Sequence, residues 1–271
     1  MAFPLFLILG TLLMGIALRS FNHPLLQKLG ALGVLATSFL LGYFLSGSVV
    51  IGLLLVASWF LLPWVEILTR LRRLRLEENK NLRRKTPPST EMFPELDDLT
   101  EEIEKEGFCQ VDDLGWAWEE QTQFFRLFYH EKNRTQAAIC QIEQDGAAFY
   151  YLSLSSRGNG GEIWTTWNYP FFYSLKFSPE WNVNRVKGHL SFSQMNECHQ
   201  EFLESMAVGE SDLTELSPET MAGEIQNDLR LQISHNLATG LLRKNADGEI
   251  CYSWRGMMFV WLQFLRDSVR L

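Results

Sequence analysis

Residues 29–65, "LGALGVLATSFLLGYFLSGSVVIGLLLVASWFLLPWV", run for 37 positions without a charge. A helix rises about 1.5 Å per residue, so one straight helix of this length would reach about 55 Å, nearly twice a hydrocarbon core of about 30 Å. The run must therefore break, and Ser46-Gly47-Ser48 divides it into Leu29–Leu45 and Val49–Leu68, each close to a crossing length. A second uncharged run of 17 residues, Ala2–Leu18, precedes it. The sequence thus predicts an N-terminal anchor over residues 1–69, made of three transmembrane helices at about 2–18, 29–45 and 49–68.

Directly behind the apolar run, "WVEILTRLRRLRLEENKNLRRK" (64–85) holds eight basic residues, beginning with the membrane-proximal Arg70, Arg72, Arg73 and Arg75. Basic residues in short loops mark the cytoplasmic side. The first loop, "RSFNHPLLQK", carries Arg19 and Lys28 without an acid, whereas Ser46–Ser48 is uncharged. All three connections agree: N-terminus outside, tight turn outside, C-terminal domain inside. The expected location is the plasma (inner) membrane, multi-pass, with the bilayer as first partner. The basic stretch reads as a cytoplasmic extension of helix three that touches anionic headgroups, with Glu66 at headgroup level. A cleaved signal peptide fits less well, because the N-terminus lacks Lys and Arg and "MGIALRS" is a poor cleavage site. The pairs Gly33/Thr37, Ser38/Gly42 and Ser48/Gly52 suit close helix packing within the bundle.

Charge separates the chain into unlike parts. Residues 1–85 carry +7 and the remainder −15. An acidic balance of that size repels phosphate backbones, which argues against nucleic acid as a partner. The four cysteines, Cys109, Cys140, Cys198 and Cys251, stand far apart with no Cys-x-x-Cys or Cys/His cluster, so no metal site or other cofactor is expected, and Cys140, Cys198 and Cys251, in apolar surroundings, are expected as free buried thiols rather than disulfides.

Residues 70–95 read as a basic juxtamembrane segment and proline-rich linker, "KTPPSTEMFPE", and 96–271 as a cytoplasmic α+β domain. "LDDLTEEIEKEGF" predicts a short helix at 98–106 opened by an Asp98/Glu101 cap and stopped by Gly107. "TQFFRLFYH", "TQAAICQIE", "AAFYYLSLS" and "EIWTTWN" alternate with period two between the turns "EKNR", "QDG" and "RGNGG". An antiparallel β-meander of 4–6 strands follows, with "PFFYSLKF" and "WNVNRV" as the fifth and sixth. C-terminal helices should pack against it. "SFSQMNECHQEFLESM" puts Met195, Cys198, His199 and Leu203 on one face. "SPETMAGEIQNDLRLQISHNLATGLL" opens with Ser217-Pro218 and sets Met221, Ile225, Leu229, Ile233, Leu237 and Leu241 four apart. "SWRGMMFVWLQFLRDSVR" confines its polar residues to an arc of about 120°, and reads as the central core helix of the domain or, alternatively, an interfacial helix on the bilayer.

No G-x-S-x-G, Walker A, H-E-x-x-H or dinucleotide signature is present. "SSRGNGG" (155–161) could offer Ser155, Ser156 and Arg157 to an anion, but a strand rather than a helix follows, so a hairpin turn explains it better. Cys198 and His199 are adjacent and on a helix would point about 100° apart, which disfavours a dyad and makes His199 a core histidine. His130 reads as exposed and His235 as a capping contact. "IWTTWNYPFF" gathers Trp164, Trp167, Tyr169, Phe171 and Phe172, side chains suited to ligand pockets and interfaces. Arg157, Trp164, Trp167 and Tyr169 are the candidate binding residues. The functional expectation is a membrane-anchored, non-enzymatic binding, scaffold or accessory domain with a protein partner or small ligand. The alternative is a membrane-tethered enzyme, hydrolase or lipid-modifying, with its site between sheet and C-terminal helices.

Overall fold

The computed structural model of the chain describes residues 2–21, 23–77, 81–118, 121–144, 147–188 and 190–270. Lys80 of the basic stretch and the expected turn at Asp145-Gly146 lie outside them. The chain is α+β, with a mixed sheet of seven strands and seven α-helices among the described residues.

Three apolar helices come first: α1 (Ala2–Arg19), α2 (Pro24–Ser46) and α3 (Val49–Leu71). Helix α2 begins well before Leu29, because His23 Nδ1 accepts the Leu25 N–H at 3.3 Å and Pro24 occupies the first turn. It ends at Gly47, whose φ of 71° suits glycine and whose N–H donates to the Tyr43 carbonyl. Helices α2 and α3 are long and apolar enough to cross a membrane, and α1 is a shorter apolar helix. Their side chains face outward rather than into a protein core, with Leu45, Leu53, Leu54 and Leu62 all exposed. This points to membrane association.

Glycines set the helix crossings. A Cβ added at Gly33 would stand 3.0 Å from Gly15 Cα, and one at Gly42 would stand 2.8 Å from Gly52 Cα, so the α1–α2 and α2–α3 backbones touch where only hydrogen fits. Polar contacts accompany them: Thr37 Oγ1 lies 3.1 Å from Thr11 Oγ1, and Trp59 Nε1 donates to Ser38 Oγ at 2.9 Å.

Contacts group the chain into two compact units. The first comprises Met1–Leu76, Phe172–Leu175 and Thr239–Leu271; the second comprises Glu77–Phe171 and Lys176–Ala238. Within the first, strands β8 (Leu242–Lys244) and β9 (Ile250–Tyr252) form a hairpin that leads into α7 (Trp254–Arg270). The Leu76 N–H donates to the Ile250 carbonyl at 2.8 Å, and Arg75 Nε pairs with Glu249 at 2.8 Å. The expected helical extension through the basic stretch is thus corrected. Helix α3 stops at Leu71, because a strand partner and Glu249 satisfy groups that an exposed helix of like charges would leave repelling one another.

Helix α7 is also corrected. Instead of forming the core of the acidic domain, it packs on α2 and α3. Its Gly256 sits against the Leu241 carbonyl, Met257 and Val260 are buried, and Trp254 and Trp261 lie 5.6 and 5.4 Å from the Trp64 ring. Trp261 Nε1 donates to the Phe60 carbonyl at 3.1 Å, one turn before Pro63. Two-thirds of an apolar circumference demands burial, but the period does not say against what.

The second unit is built on the large sheet, in the order β1 (Arg83–Arg84), β2 (Cys109–Trp118), β3 (Gln121–His130), β4 (Thr135–Gln144), β5 (Ala147–Arg157), β6 (Ile163–Trp167) and β7 (Trp181–Arg185). Neighbours are antiparallel except β6 and β7, which run parallel, so the expected pure meander is corrected. Residues 168–180 make that crossover, and "PFFYSLKF" within them forms no strand. Strand β2 escaped the alternation test because its register slips between Gln110 and Asp112, and a one-residue slip moves every later side chain to the other face.

One face of the sheet carries Phe124, Phe128, Ile139, Leu152 and Leu154 against α4 (Leu96–Lys105) and α5 (Phe192–Ser205). Helix α4 starts at Leu96, with Asp98 inside its first turn rather than capping it. Helix α5 opens on a full Ser191/Gln194 capping box. The opposite face carries Leu114, Leu127, Tyr129 and Cys140 against Leu216 and the start of α6 (Pro218–Ala238). Each fully buried Phe or Leu contributes about 1.5–3 kcal/mol to the packing of that unit.

Candidate functional site

The sequence-marked aromatics do not all converge. Trp164 and Trp167 are three apart on β6, so their side chains take opposite faces. Trp164 is buried beside Leu203 and Leu213. Trp167 joins a cluster on the α6 side of the sheet, with ring centroids at 6.4 Å to Tyr151, 5.9 Å to Tyr169 and 5.7 Å to Phe177. Tyr169 continues the cluster to Phe149 and Phe171, at 6.1 and 5.9 Å. Phe171 closes it at 54% exposure, and Phe172 belongs to the first unit, edge-on to Phe264. Arg185 pins the segment by donating to the Tyr169 carbonyl at 3.1 Å and the Pro170 carbonyl at 2.8 Å. Burial pushes the Tyr169 hydroxyl above its ordinary pKa, with Arg185 opposing, so it stays protonated as a donor.

Arg157 is not presented to a ligand. Its guanidinium is buried and meets both carboxylate oxygens of Asp228 on α6, Nη1 at 3.0 Å from Oδ1 and Nη2 on Oδ2, with Glu224 at 3.9 Å. Burial pushes the Asp228 carboxyl up, while the hydrogen bond and charge of Arg157 pull the other way. The glycines behind Arg157 make a hairpin turn, closed by Gly158 N–H on the Glu162 carbonyl at 2.8 Å.

No family model, curated protein or solved structure matches the chain.

The Ser156–His199 pair is the arrangement closest to nucleophile chemistry. Ser156 Oγ lies 3.1 Å from His199 Nε2 and 2.9 Å from Thr135 Oγ1, while His199 Nδ1 lies 3.0 Å from Thr166 Oγ1. Ser156 and His199 are both 0% exposed, and the imidazole is oriented by a hydroxyl rather than a carboxylate. Burial pushes the His199 pKa down to about 4, so the ring is neutral and its two nitrogens form one donor and one acceptor link in a hydroxyl chain. That is a satisfied core network. His130 is half-buried rather than exposed: it stands edge-on to Phe108 and accepts the Asn133 N–H at 3.0 Å. His235 Nε2 has no hydrogen-bond partner among the described residues. None of the three histidines meets another, and no cluster of His, Cys, Asp and Glu fit for a metal occurs among the described residues. The cysteines are free, with Cys140 and Cys251 buried and Cys109 exposed; burial pushes the Cys140 thiol up to about 12.

Two features escaped the sequence reading. Helix α6 buries Asp228, Gln232 and Asn236 on one stripe. Asn236 accepts the Lys176 N–H and donates to the Lys176 carbonyl, both at 2.9 Å, and Gln232 donates to the same carbonyl. Their four-residue spacing was visible, but buried amides become legible only with the backbone they bind. The other is an open cleft of about 470 Å³ at the β1–β2 edge, lined by Arg83, Arg84, Lys85, Asn81, Glu77 and Trp116. Arg84 pairs there with Asp112 at 3.1 Å, and Lys85 reaches the Gln123 carbonyl. Of the arginines expected next to the membrane, Arg70 pairs with Glu66 at 3.1 Å, Arg75 with Glu249, and Arg72 and Arg73 are exposed.

Proposed function

We propose that the chain is a membrane-anchored binding or scaffold domain without catalytic activity of its own. Helices α1–α3 hold it in the inner membrane with the acidic unit on the cytoplasmic side, where it engages a protein or small ligand through the aromatic cluster around Tyr169 and Phe171. The anchoring part is supported by the outward-facing apolar side chains of α2 and α3, and the orientation by the basic flanks of the loops. The observation that carries the binding part is Phe171. It is a large aromatic side chain left 54% exposed at the end of a packed aromatic row, the arrangement of an anchor waiting for a pocket.

The test is a photo-crosslinking amino acid at Phe171 in full-length protein in its native membrane. A discrete adduct that disappears when Tyr169 is also changed to alanine supports the reading. Absence of any adduct at Phe171, with efficient labelling at a lipid-facing control such as Leu54, removes it. The enzymatic alternative, a membrane-tethered hydrolase, has the Ser156–His199 distance in its favour. It requires Ser156→Ala to abolish hydrolysis of acyl substrates while leaving the unfolding midpoint in place.

A further inference from the structure

We infer that α7 is a fourth membrane-contacting element, an amphipathic helix lying in the inner interface with the Trp254–Met258–Leu262–Leu265 strip against acyl chains. This rests on the anchoring part of the proposed function and adds a lipid-binding surface at the far end of the chain.

At about 100° per residue, α7 divides into three sectors. Gly256, Met257, Val260 and Trp261 turn toward the protein, with Met257 and Val260 buried and Trp261 bonded to Phe60. Trp254, Met258, Leu262 and Leu265 form the next sector, and it is apolar throughout. Trp254 is 60% and Leu262 55% exposed, values that water penalises and lipid does not. Arg255 and Arg266 follow on its flank, both exposed.

The height of α7 along α3 agrees with this sectoring. Lys28 marks one end of the uncharged part of α2, and the Gly47 turn the other. The same length counted down α3 from Val49 ends near Ile67. Phe60 and Trp64, the residues that α7 touches, lie three to seven positions short of that level, about 5–10 Å inside at 1.5 Å per residue. An amphipathic helix buries its apolar face to about that depth in the headgroup and acyl boundary. Three tryptophans meet there, Trp64, Trp254 and Trp261, the residue type enriched at that boundary. Arginines beside an apolar sector reach phosphate level by extending their stems.

The experiment uses the full chain in vesicles containing anionic lipid, with Cys109 and Cys198 changed to serine. A nitroxide is placed at Leu262→Cys, at Leu54→Cys on α3, or at Glu219→Cys on the exposed start of α6. Accessibility is read against oxygen, which concentrates in lipid, and against a water-soluble nickel chelate. The expected result is that the Leu262 label matches Leu54, oxygen-rich and several-fold less accessible to the chelate than Glu219. A Leu262 label shielded from both reagents means that protein covers the strip, and overturns the inference. Chelate access at Leu262 with Leu54 still shielded also overturns it and leaves the anchor standing. Chelate access at both sites overturns the anchor as well.

Discussion

Asp228→Ala would leave the buried Arg157 guanidinium with Glu224 at 3.9 Å in place of two direct hydrogen bonds, and breaking a buried pair on one side costs up to about 3–5 kcal/mol. Changing both residues together, Arg157→Met with Asp228→Leu, removes the charges as well as their attraction and should restore most of that loss. Urea midpoints of the full chain in detergent, followed by tryptophan fluorescence, separate the two outcomes; if the double variant is as weak as the single one, the pair does more than neutralise itself. His199 carries a pH dependence of definite sign. Its ordinary value of 6.5 falls to about 4 in the fold through burial, so the unfolded chain binds the proton more readily. The neutral ring's contribution is complete above about pH 6.5 and is lost as the pH falls toward 4, in total about 3 kcal/mol. His199→Gln should flatten the stability profile across that window, and a slope unchanged from the parent would exclude His199 as its source.

At the scale of elements, the glycine crossings make a sharp demand. A Cβ at Gly52 would stand 2.8 Å from the Phe39 ring and 2.9 Å from the Phe39 carbonyl. Gly52→Leu should therefore separate α2 from α3 at a cost of about 1–3 kcal/mol, whereas Gly10→Leu, with open space around it, should not. Resistance to unfolding by an ionic detergent reads the difference. Legibility also varied by element. Helix α6 was visible, but its buried stripe was misplaced, since an apolar line at strict four-residue spacing drifts about 40° per step and reaches the far side of the helix, about 200° away, over five steps. Leu229 and Leu237 on that line are only half-buried, and Asp228, Gln232 and Asn236 take the inner stripe. Strand β2 was hidden by its bulge, and β1 by being two arginines in a segment that reads as linker.

For the whole molecule, the decisive arrangement is that residues 239–271 group with the N-terminal helices. A chain ending at Ala238 loses the β8–β9 hairpin and α7, and with them the Leu76 and Phe60 hydrogen bonds. It should keep the unfolding midpoint of the acidic unit but lose thermal stability of the apolar helices in detergent, seen as earlier loss of helical circular dichroism. Equal losses in both would show that the grouping is not an energetic one. The uncharged runs, their break at Gly47 and the opposite charge of the two parts follow from the sequence alone, since hydropathy and charge are local properties that need no partner. That Arg157 faces Asp228, that His199 sits in a hydroxyl chain and that α7 lies on α2 and α3 was decided only in three dimensions. A periodic apolar or polar face states that a side chain must be covered, and which distant surface covers it depends on contacts between residues far apart in the chain.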